Sequence, residues 1–347
     1  MKKREVWLDV LRIASAFLVI VNHTNSQVFQ GSDPTQLTWW LSILWYALCK
    51  AAVPVFVMVS GACLLGRADS YGKCLQRFAR IVLALVVFSY LYFLHDAWVY
   101  YGLWPRAADL KAFFSLVWAQ QITDSFWYLY FYAALMLMLP LFQRLSVNMH
   151  GHDALYLIGL CFGVDALWPL ITRIFPAAAL PSYLDMPLFT SYIGLFFAGW
   201  QLRSMQSRMY RLPALLLLVA SLAVSVLSLR MQYAPGEKYW LFMDERMHPS
   251  LWTILAAIAL MMLVRGLFDR PLSETAQRVW TELGGCAFGV YLLQDWLIAQ
   301  SKARLFAPLQ NVLPAFPAVI VWELAVFGIA LMAAWVMRRI PGLKKIV

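Results

Sequence analysis

Long apolar segments recur along the whole chain, and they constrain its fold more than any other feature. Ten windows are long enough, or nearly so, to cross the roughly 30 Å hydrocarbon core of a bilayer. They cover residues 6–27, 38–65, 79–101, 126–145, 153–173, 188–202, 212–231, 249–268, 283–300 and 314–337. A composition of 62% hydrophobic and 13% charged residues excludes a soluble enzyme. The sequence therefore predicts an all-α polytopic membrane protein with about ten transmembrane helices.

The distribution of Lys and Arg orients these segments. If the N-terminus is cytoplasmic, the segments on that side hold more than twice as many Lys and Arg residues as the outer segments. By the positive-inside rule, both termini are then cytoplasmic. The same bias explains most of the formal net charge of +10 without an anionic partner. Nucleic acid is not an expected partner, because the basic residues lie in short loops and form no patterned basic helix.

The five cysteines are scattered along the chain without a CxxC pair or a Cys/His cluster. This pattern is typical of small apolar packing residues and predicts neither a disulfide framework nor a metal site. We expect no permanently bound cofactor.

The first apolar segment carries ionisable residues where a lipid-facing helix should have none. Asp9, Arg12 and His23 all lie in the stretch DVLRIASAFLVIVNH. Arg12 and His23 are eleven residues apart. At about 100° per residue this spacing puts them on one helix face, about 16 Å apart along the axis. Asp9 is close enough to Arg12 to pair with it. Such groups at membrane depth indicate a pathway or a site, the alternative being two interfacial side chains.

Three more basic residues stand out in the second and third windows. Lys50 lies four residues before Pro54, which frees a backbone carbonyl and can kink the helix. Arg77 and Arg80 are three residues apart, so they share one helix face and would grip phosphates bidentately. The alternative for Lys50 is a kink that serves packing, with a side chain that extends to the membrane interface. The alternative for Arg77 and Arg80 is a pair that contributes only to the positive-inside topology.

Acidic residues within the windows are candidates to orient His23, by accepting the second N–H of its ring as in general-base dyads. The candidates are Asp96, Asp165, Asp295 and Glu323. Asp96 and Asp295 are favoured over the other two, because they lie in outer halves of their windows, at the level of His23. Hydrogen bonding between helices is the alternative for each acid.

Six motifs follow one another along the chain, and together they resemble membrane-bound acyltransferase family 3 over nearly its whole length. They are the Arg, ten residues, His spacing of LDVLRIASAFLVIVNH, the P-x-F-x-x-x-S-G element of VPVFVMVSG, the R-x-x-R of QRFARI, FWYLYFYAALMLMLPLF, SYIGLFFAGWQL and FGVYLLQDWLI. Gln294 stands where this family often has a His, so that position is expected to have no catalytic role.

The resemblance implies transfer of an acyl group, most often acetyl from acetyl-CoA, to a sugar hydroxyl. The family includes O-acetyltransferases of bacterial surface polysaccharides, such as the enzyme acting on enterobacterial common antigen. It often carries a soluble extracytoplasmic domain after its last helix. We expect none here, so that residues 1–347 would be one integral-membrane domain in the bacterial plasma (inner) membrane, in contact with membrane lipids.

The resemblance also implies roles for the residues singled out above. His23 would be the general base, since an unperturbed imidazole can accept a proton at neutral pH. Arg12, Arg77 and Arg80 would hold the phosphates of cytoplasmic acyl-CoA. Lys50 would stabilise the developing oxyanion. The acceptor would be a carbohydrate or a lipid-linked glycan that arrives from the outer side.

Several alternatives stay open at this stage. Transfer is either direct or passes through an acyl-enzyme on Ser15, Ser60 or Tyr128. A transporter of a lipid-linked sugar or a small anion would move its cargo without consuming acyl-CoA, although the chain lacks the inverted repeats common in transporters. A membrane sensor without turnover is the third possibility.

Overall fold

The computed structural model describes residues 5–101, 107–178, 190–205, 210–233, 249–268 and 272–347. Within these ranges the chain is helical and contains no β-strand. The α-helices are α1 Val6–Thr24, α2 Ser26–Phe29, α3 Leu37–Cys49, α4 Ala52–Leu64, α5 Tyr71–Tyr101, α6 Ala107–Ala119, α7 Trp127–Asn148, α8 Gly151–Phe162, α9 Trp168–Ile174, α10 Ser191–Ser204, α11 Arg211–Tyr233, α12 Leu251–Leu267, α13 Glu274–Ser301, α14 Ala307–Gln310 and α15 Ala315–Met337.

Short turns of tighter or wider helix connect some of these elements. The 3₁₀ turns cover Asp124–Phe126, Pro176–Ala178 and Leu343–Lys345, and the π-helical turns cover Gly163–Leu167 and Lys302–Phe306.

Every predicted window coincides with helix in the described ranges, which confirms an all-α polytopic membrane protein. Among the described residues, seven helical segments are long and apolar enough to cross a membrane: Val6–Thr24, Leu37–Leu64, Tyr71–Val99, Asp124–Asn148, Gly151–Thr172, Arg211–Met231 and Ala315–Met337. The other three windows correspond to α10 and α12, which have 14 and 17 residues, and to the longer but more polar α13. The ten-span topology with cytoplasmic termini stays a prediction.

Helix α1 is the most enclosed of the seven spans. In its apolar window 72% of the residues are buried, against 61% or less in the others. The helix lies between the two largest hydrophobic clusters: Leu11 and Val21 pack into one, and Ile13 and Ile20 into the other. It contacts α3, α4, α12, α13 and α15. A helix surrounded in this way can direct polar side chains into the protein instead of into lipid.

The second predicted window is broken into two helices, α3 and α4, at Lys50 and Ala51. Pro54 explains the break, because it lacks the N–H that would bond to the Lys50 carbonyl four residues earlier. Regular bonding resumes at Val55, whose N–H donates to the Ala51 carbonyl at 2.9 Å. Lys50 therefore lies at the junction of two half-helices.

Helices α4 and α10 pack with their backbones in direct contact at two glycines. A Cβ atom on Gly61 would overlap the carbonyl of Phe196, and one on Gly199 would overlap the carbonyl of Met58. Small residues permit this close approach in membrane helices. The contact fixes α4, and with it the junction that carries Lys50.

We expect Gly61→Ala or Gly199→Ala to lower the midpoint of thermal unfolding in detergent. Overpacking of this kind costs about 1–3 kcal/mol of the free energy of unfolding, or more where backbone must move. Gly159→Ala on α8 is the matched control, since no atom lies within 4 Å of its added Cβ. Equal unfolding midpoints for all three variants would contradict the close packing.

Candidate active site

A cavity of about 240 Å³ lies beside the C-terminal end of α1, and we call it the histidine cavity. His23 from α1 and Lys50 from the α3–α4 junction both line it. Asn22, Asp124 and Thr253 add polar groups to its wall. Two residues predicted from separate windows are thus brought to one site.

A second cavity of about 390 Å³ lies towards the N-terminal end of α1, and we call it the arginine cavity. Arg12 from α1 lines it together with Arg77 and Arg80 from the start of α5. The three arginines predicted to bind phosphate therefore face one space.

The two cavities adjoin through a pair of tyrosines. Tyr128 on α7 and Tyr291 on α13 line both cavities, and they are the only described residues that do so. Their rings meet edge to face, with centroids 5.7 Å apart. The predicted face of α1 thus runs from an arginine-lined space to a histidine-lined space across one aromatic wall.

The residues directly after His23 anchor the end of α1. Thr24 Oγ1 donates to Glu323 Oε1 on α15 at 2.8 Å, and Trp45 Nε1 donates to the other oxygen of that carboxylate at 2.9 Å. Asn25 Nδ2 donates to the carbonyl of Ser42 on α3 at 2.5 Å. These bonds join α1, α3 and α15, so the backbone that carries His23 is held from two sides.

Asp124 is a site residue that the sequence interpretation missed. It lies in the 3₁₀ turn just before α7, outside the predicted window 126–145, yet it lines the histidine cavity with His23 and Lys50. A signal was present, because an acid two residues before the aromatic FWYLY stretch would lie at the outer end of a span. Asp124 thus adds a carboxylate to the wall that carries His23 and Lys50.

The turn that carries Asp124 is held by α13. Asp295 Oδ2 accepts hydrogen bonds from Thr123 Oγ1 at 2.7 Å, from Ser125 Oγ at 2.5 Å and from Ser125 N at 3.3 Å. The hydroxyl of Tyr291 donates to the Ser125 carbonyl. Asp295 therefore positions the neighbours of Asp124 and is not itself among the described residues that line the cavity.

The other three candidate acids also lie outside the lining of the histidine cavity among the described residues. Asp96 Oδ1 is 3.1 Å from Nδ1 of its neighbour His95. Asp165 accepts a hydrogen bond from the backbone N–H of Ser191 at 2.6 Å. Glu323 is fully buried and holds the end of α1, as described above. Asp124 is the acid that shares a cavity with His23.

The arginine cavity contains two partly neutralised guanidinium groups and one that forms no ion pair with any described residue. Arg12 Nη1 is 2.9 Å from Asp9 Oδ1, as the three-residue spacing predicts. Arg77 Nη1 is 2.8 Å from Asp69 Oδ2. Arg80 donates from Nε to the Ile346 carbonyl at 3.4 Å and makes no ion pair within the described ranges. Among the residues that the structure describes, the three arginines face only the carboxylates of Asp9 and Asp69, so the cavity has a net positive charge.

Asp69 lies in the loop between α4 and α5, where it also meets Arg67 and Lys73. The hydrogen bond from Lys73 is the largest cause that holds the pKa of Asp69 well below its usual value, with Arg77 and Gln143 contributing. Because the folded pKa is lowered, the stabilisation is present at neutral pH and is lost as the pH falls below about 4. An ionised Asp69 fixes Arg77 at the edge of the cavity.

His150, His152 and Asp153 form an exposed cluster at the start of α8, with ligand-type atoms within 4.8 Å of one another. His150 and Asp153 form the capping box of that helix. The cluster lines neither cavity, and helix capping accounts for His150 and Asp153.

Comparison with known proteins identifies the family. A family model described as an acyltransferase domain, that of acyltransferase family 3, matches residues 5–339. No curated protein and no solved structure gives a significant match. The matched range contains every described residue that lines the two cavities. The chain belongs to acyltransferase family 3, and it is a multi-pass membrane acyltransferase.

Proposed function

We propose that this protein transfers an acetyl group from cytoplasmic acetyl-CoA to a hydroxyl of a surface or lipid-linked carbohydrate, in the plasma membrane of a bacterium. The observation that carries the proposal is the pair of adjoining cavities along α1. One cavity has the charge to hold a polyanionic donor, and the other has an imidazole to activate a hydroxyl. Two spaces that meet at one wall allow donor and acceptor to arrive separately.

The arginine cavity suits the donor. Coenzyme A carries several phosphate charges, and guanidinium groups bind phosphate oxygens through paired N–H donors. Arg80 has no competing carboxylate among the described residues, so we assign it the strongest phosphate contact. Arg12 lies about 16 Å from His23 along the helix. The extended arm between the phosphates and the thiol of coenzyme A bridges such a distance, which brings the thioester to the tyrosine wall.

The histidine cavity suits the chemistry. The acceptor hydroxyl oxygen attacks the thioester carbon while His23 takes the hydroxyl proton. The carbonyl oxygen becomes an oxyanion, which the ammonium group of Lys50 stabilises. The C–S bond then breaks, and the proton on His23 passes to the leaving thiolate. Asp124 favours the imidazolium that exists between the two proton transfers.

The acceptor is assigned to the outer side, because His23 follows Arg12 towards the outer end of α1 in the predicted topology. Surface polysaccharides, of which enterobacterial common antigen is one, and their lipid-linked precursors both present sugar hydroxyls there. Acetyl is the proposed acyl group because the resemblance implies it.

Reconstituted protein tests the function directly. Proteoliposomes that contain the protein, a lipid-linked glycan fraction and acetyl-CoA labelled in the acetyl group should form labelled glycan and free coenzyme A in equal amounts. Vesicles without protein are the control. Movement of the glycan across the bilayer without release of coenzyme A would contradict acyl transfer and indicate that the protein is a transporter.

A further inference from the structure

We propose that Tyr128 is a catalytic residue whose hydroxyl donates a hydrogen bond to the oxyanion of the tetrahedral intermediate. This inference rests on the proposed acyl transfer and adds a second donor to Lys50. It also gives Tyr128 a role other than that of an acylated nucleophile.

The first support is the place of Tyr128 between the cavities. A thioester held by the arginines must meet an acceptor activated by His23, so bond formation takes place where the two cavities adjoin. Tyr128 and Tyr291 are the only described residues on that boundary. Lys50 lines only the histidine cavity and not the arginine cavity. A hydrogen-bond donor to the oxyanion is therefore still needed at the boundary between the two.

The second support is the hydrogen bonding of three neighbouring tyrosines. The Tyr291 hydroxyl donates to the Ser125 carbonyl, and the Tyr132 hydroxyl is 3.1 Å from Ser60 Oγ. The Tyr128 hydroxyl makes no hydrogen bond within the described part of the chain, although the residue is only 7% exposed. Buried tyrosine hydroxyls normally have a partner. Here the cavities are the open space in which a ligand oxygen would supply it.

The third support is the rigidity of the ring. Tyr128 packs against the rings of Phe56, Trp127, Phe131, Tyr132 and Tyr291, with centroids between 5.6 and 6.3 Å away. A side chain held on so many sides cannot turn to find another partner. Donors fixed in advance at a dry site are the ones that stabilise a transition state, because they need no reorganisation during the reaction.

The hydrogen bond from Tyr128 adds no bond-breaking or proton-transfer step to the reaction. As the acceptor oxygen bonds to the carbonyl carbon, the carbonyl π electrons move to oxygen, and the Tyr128 O–H donates to that oxygen without giving up its proton. When the C–S bond breaks, the electrons return to the carbonyl and the hydrogen bond weakens. His23 alone carries the proton from the acceptor to the thiolate.

Tyr128→Phe removes only the hydroxyl and tests the inference. We expect kcat to fall about 10²–10³-fold, the usual effect of deleting one oxyanion donor, with the KM for acetyl-CoA unchanged. Tyr130→Phe is the matched control: it lies on the same helix, its hydroxyl donates to the Val117 carbonyl, and it lines neither cavity. That control should keep the wild-type kcat.

A second replacement covers the case in which Tyr128→Phe folds poorly. A ring-fluorinated tyrosine at position 128 keeps the shape and makes the phenol a stronger acid, so kcat should change while KM and thermal unfolding stay the same. Unchanged kcat in both variants, or an acyl group found on Tyr128 by mass spectrometry during turnover, would overturn the inference while acyl transfer stands. A wild-type protein that forms no acylated glycan would overturn both.

Discussion

His23→Gln is expected to reduce kcat for acyl transfer by about 10²–10⁴-fold, the range over which a positioned general base accelerates a reaction. Glutamine keeps polarity and much of the size of histidine but cannot accept the hydroxyl proton. The anchors at Thr24 and Asn25 are untouched, so α1 should stay in place. The measurement is the rate of labelled ester formation at saturating acetyl-CoA, with membrane insertion checked by thermal unfolding.

The control for this prediction is His152→Gln. His152 is 81% exposed and lines neither cavity, so its loss should leave the rate unchanged. Undiminished acylation by well-folded His23→Gln protein would remove the imidazole from the mechanism. The Lys50 and Asp124 side chains would then be the groups to examine for proton transfer in the same cavity.

The double substitution Arg77→Ala and Arg80→Ala should raise the KM for acetyl-CoA at least tenfold and leave kcat nearly unchanged. Each hydrogen bond to a charged group contributes about 1.5–3 kcal/mol, which corresponds to more than tenfold in affinity. Asp69 keeps Arg67 and Lys73 as partners when Arg77 is removed, so the loop between α4 and α5 should persist.

An acetyl donor without phosphates distinguishes a loss of phosphate binding from other effects of the two substitutions on the KM. The KM for a short acetyl thioester of N-acetylcysteamine should be the same for the wild type and the double variant. Arg144→Ala provides a control for the loss of an arginine outside the cavities, because Arg144 stacks over Tyr71 and lines neither cavity. A rise in KM that is equal for both donors would exclude phosphate binding by Arg77 and Arg80.

Local geometry explains why part of the site could be predicted from sequence. Helical periodicity fixes which residues share a face, so Arg12 and His23, and likewise Arg77 and Arg80, could be grouped before any fold was known. The break at Lys50 follows in the same way from Pro54 four residues later. All of these relations operate within one segment.

The rest of the site depends on contacts between segments that lie far apart in the chain. The hydrogen bonds between Asp295 and the turn at Asp124 join residues about 170 positions apart. The helical periodicity of the sequence contains no information about such a pairing. Asp124 lies in a turn, outside the apolar windows that mark the spans in the sequence. The position of Tyr128 between two cavities likewise depends on a contact with a distant segment, that of its ring with the ring of Tyr291 on α13.

The broken second span has a consequence for the electric field of the site. A helix carries the equivalent of about half a positive elementary charge at its N-terminus, from its aligned peptide dipoles. Ala52, Val53 and Pro54, in the first turn of α4, line the histidine cavity. The amides of α4 therefore contribute positive potential that does not titrate, while Cys49 and Lys50, at the end of α3, line the same cavity and bring the opposite partial charge of that helix end. Pro54 thus shapes the electrostatics of this protein without carrying any charge.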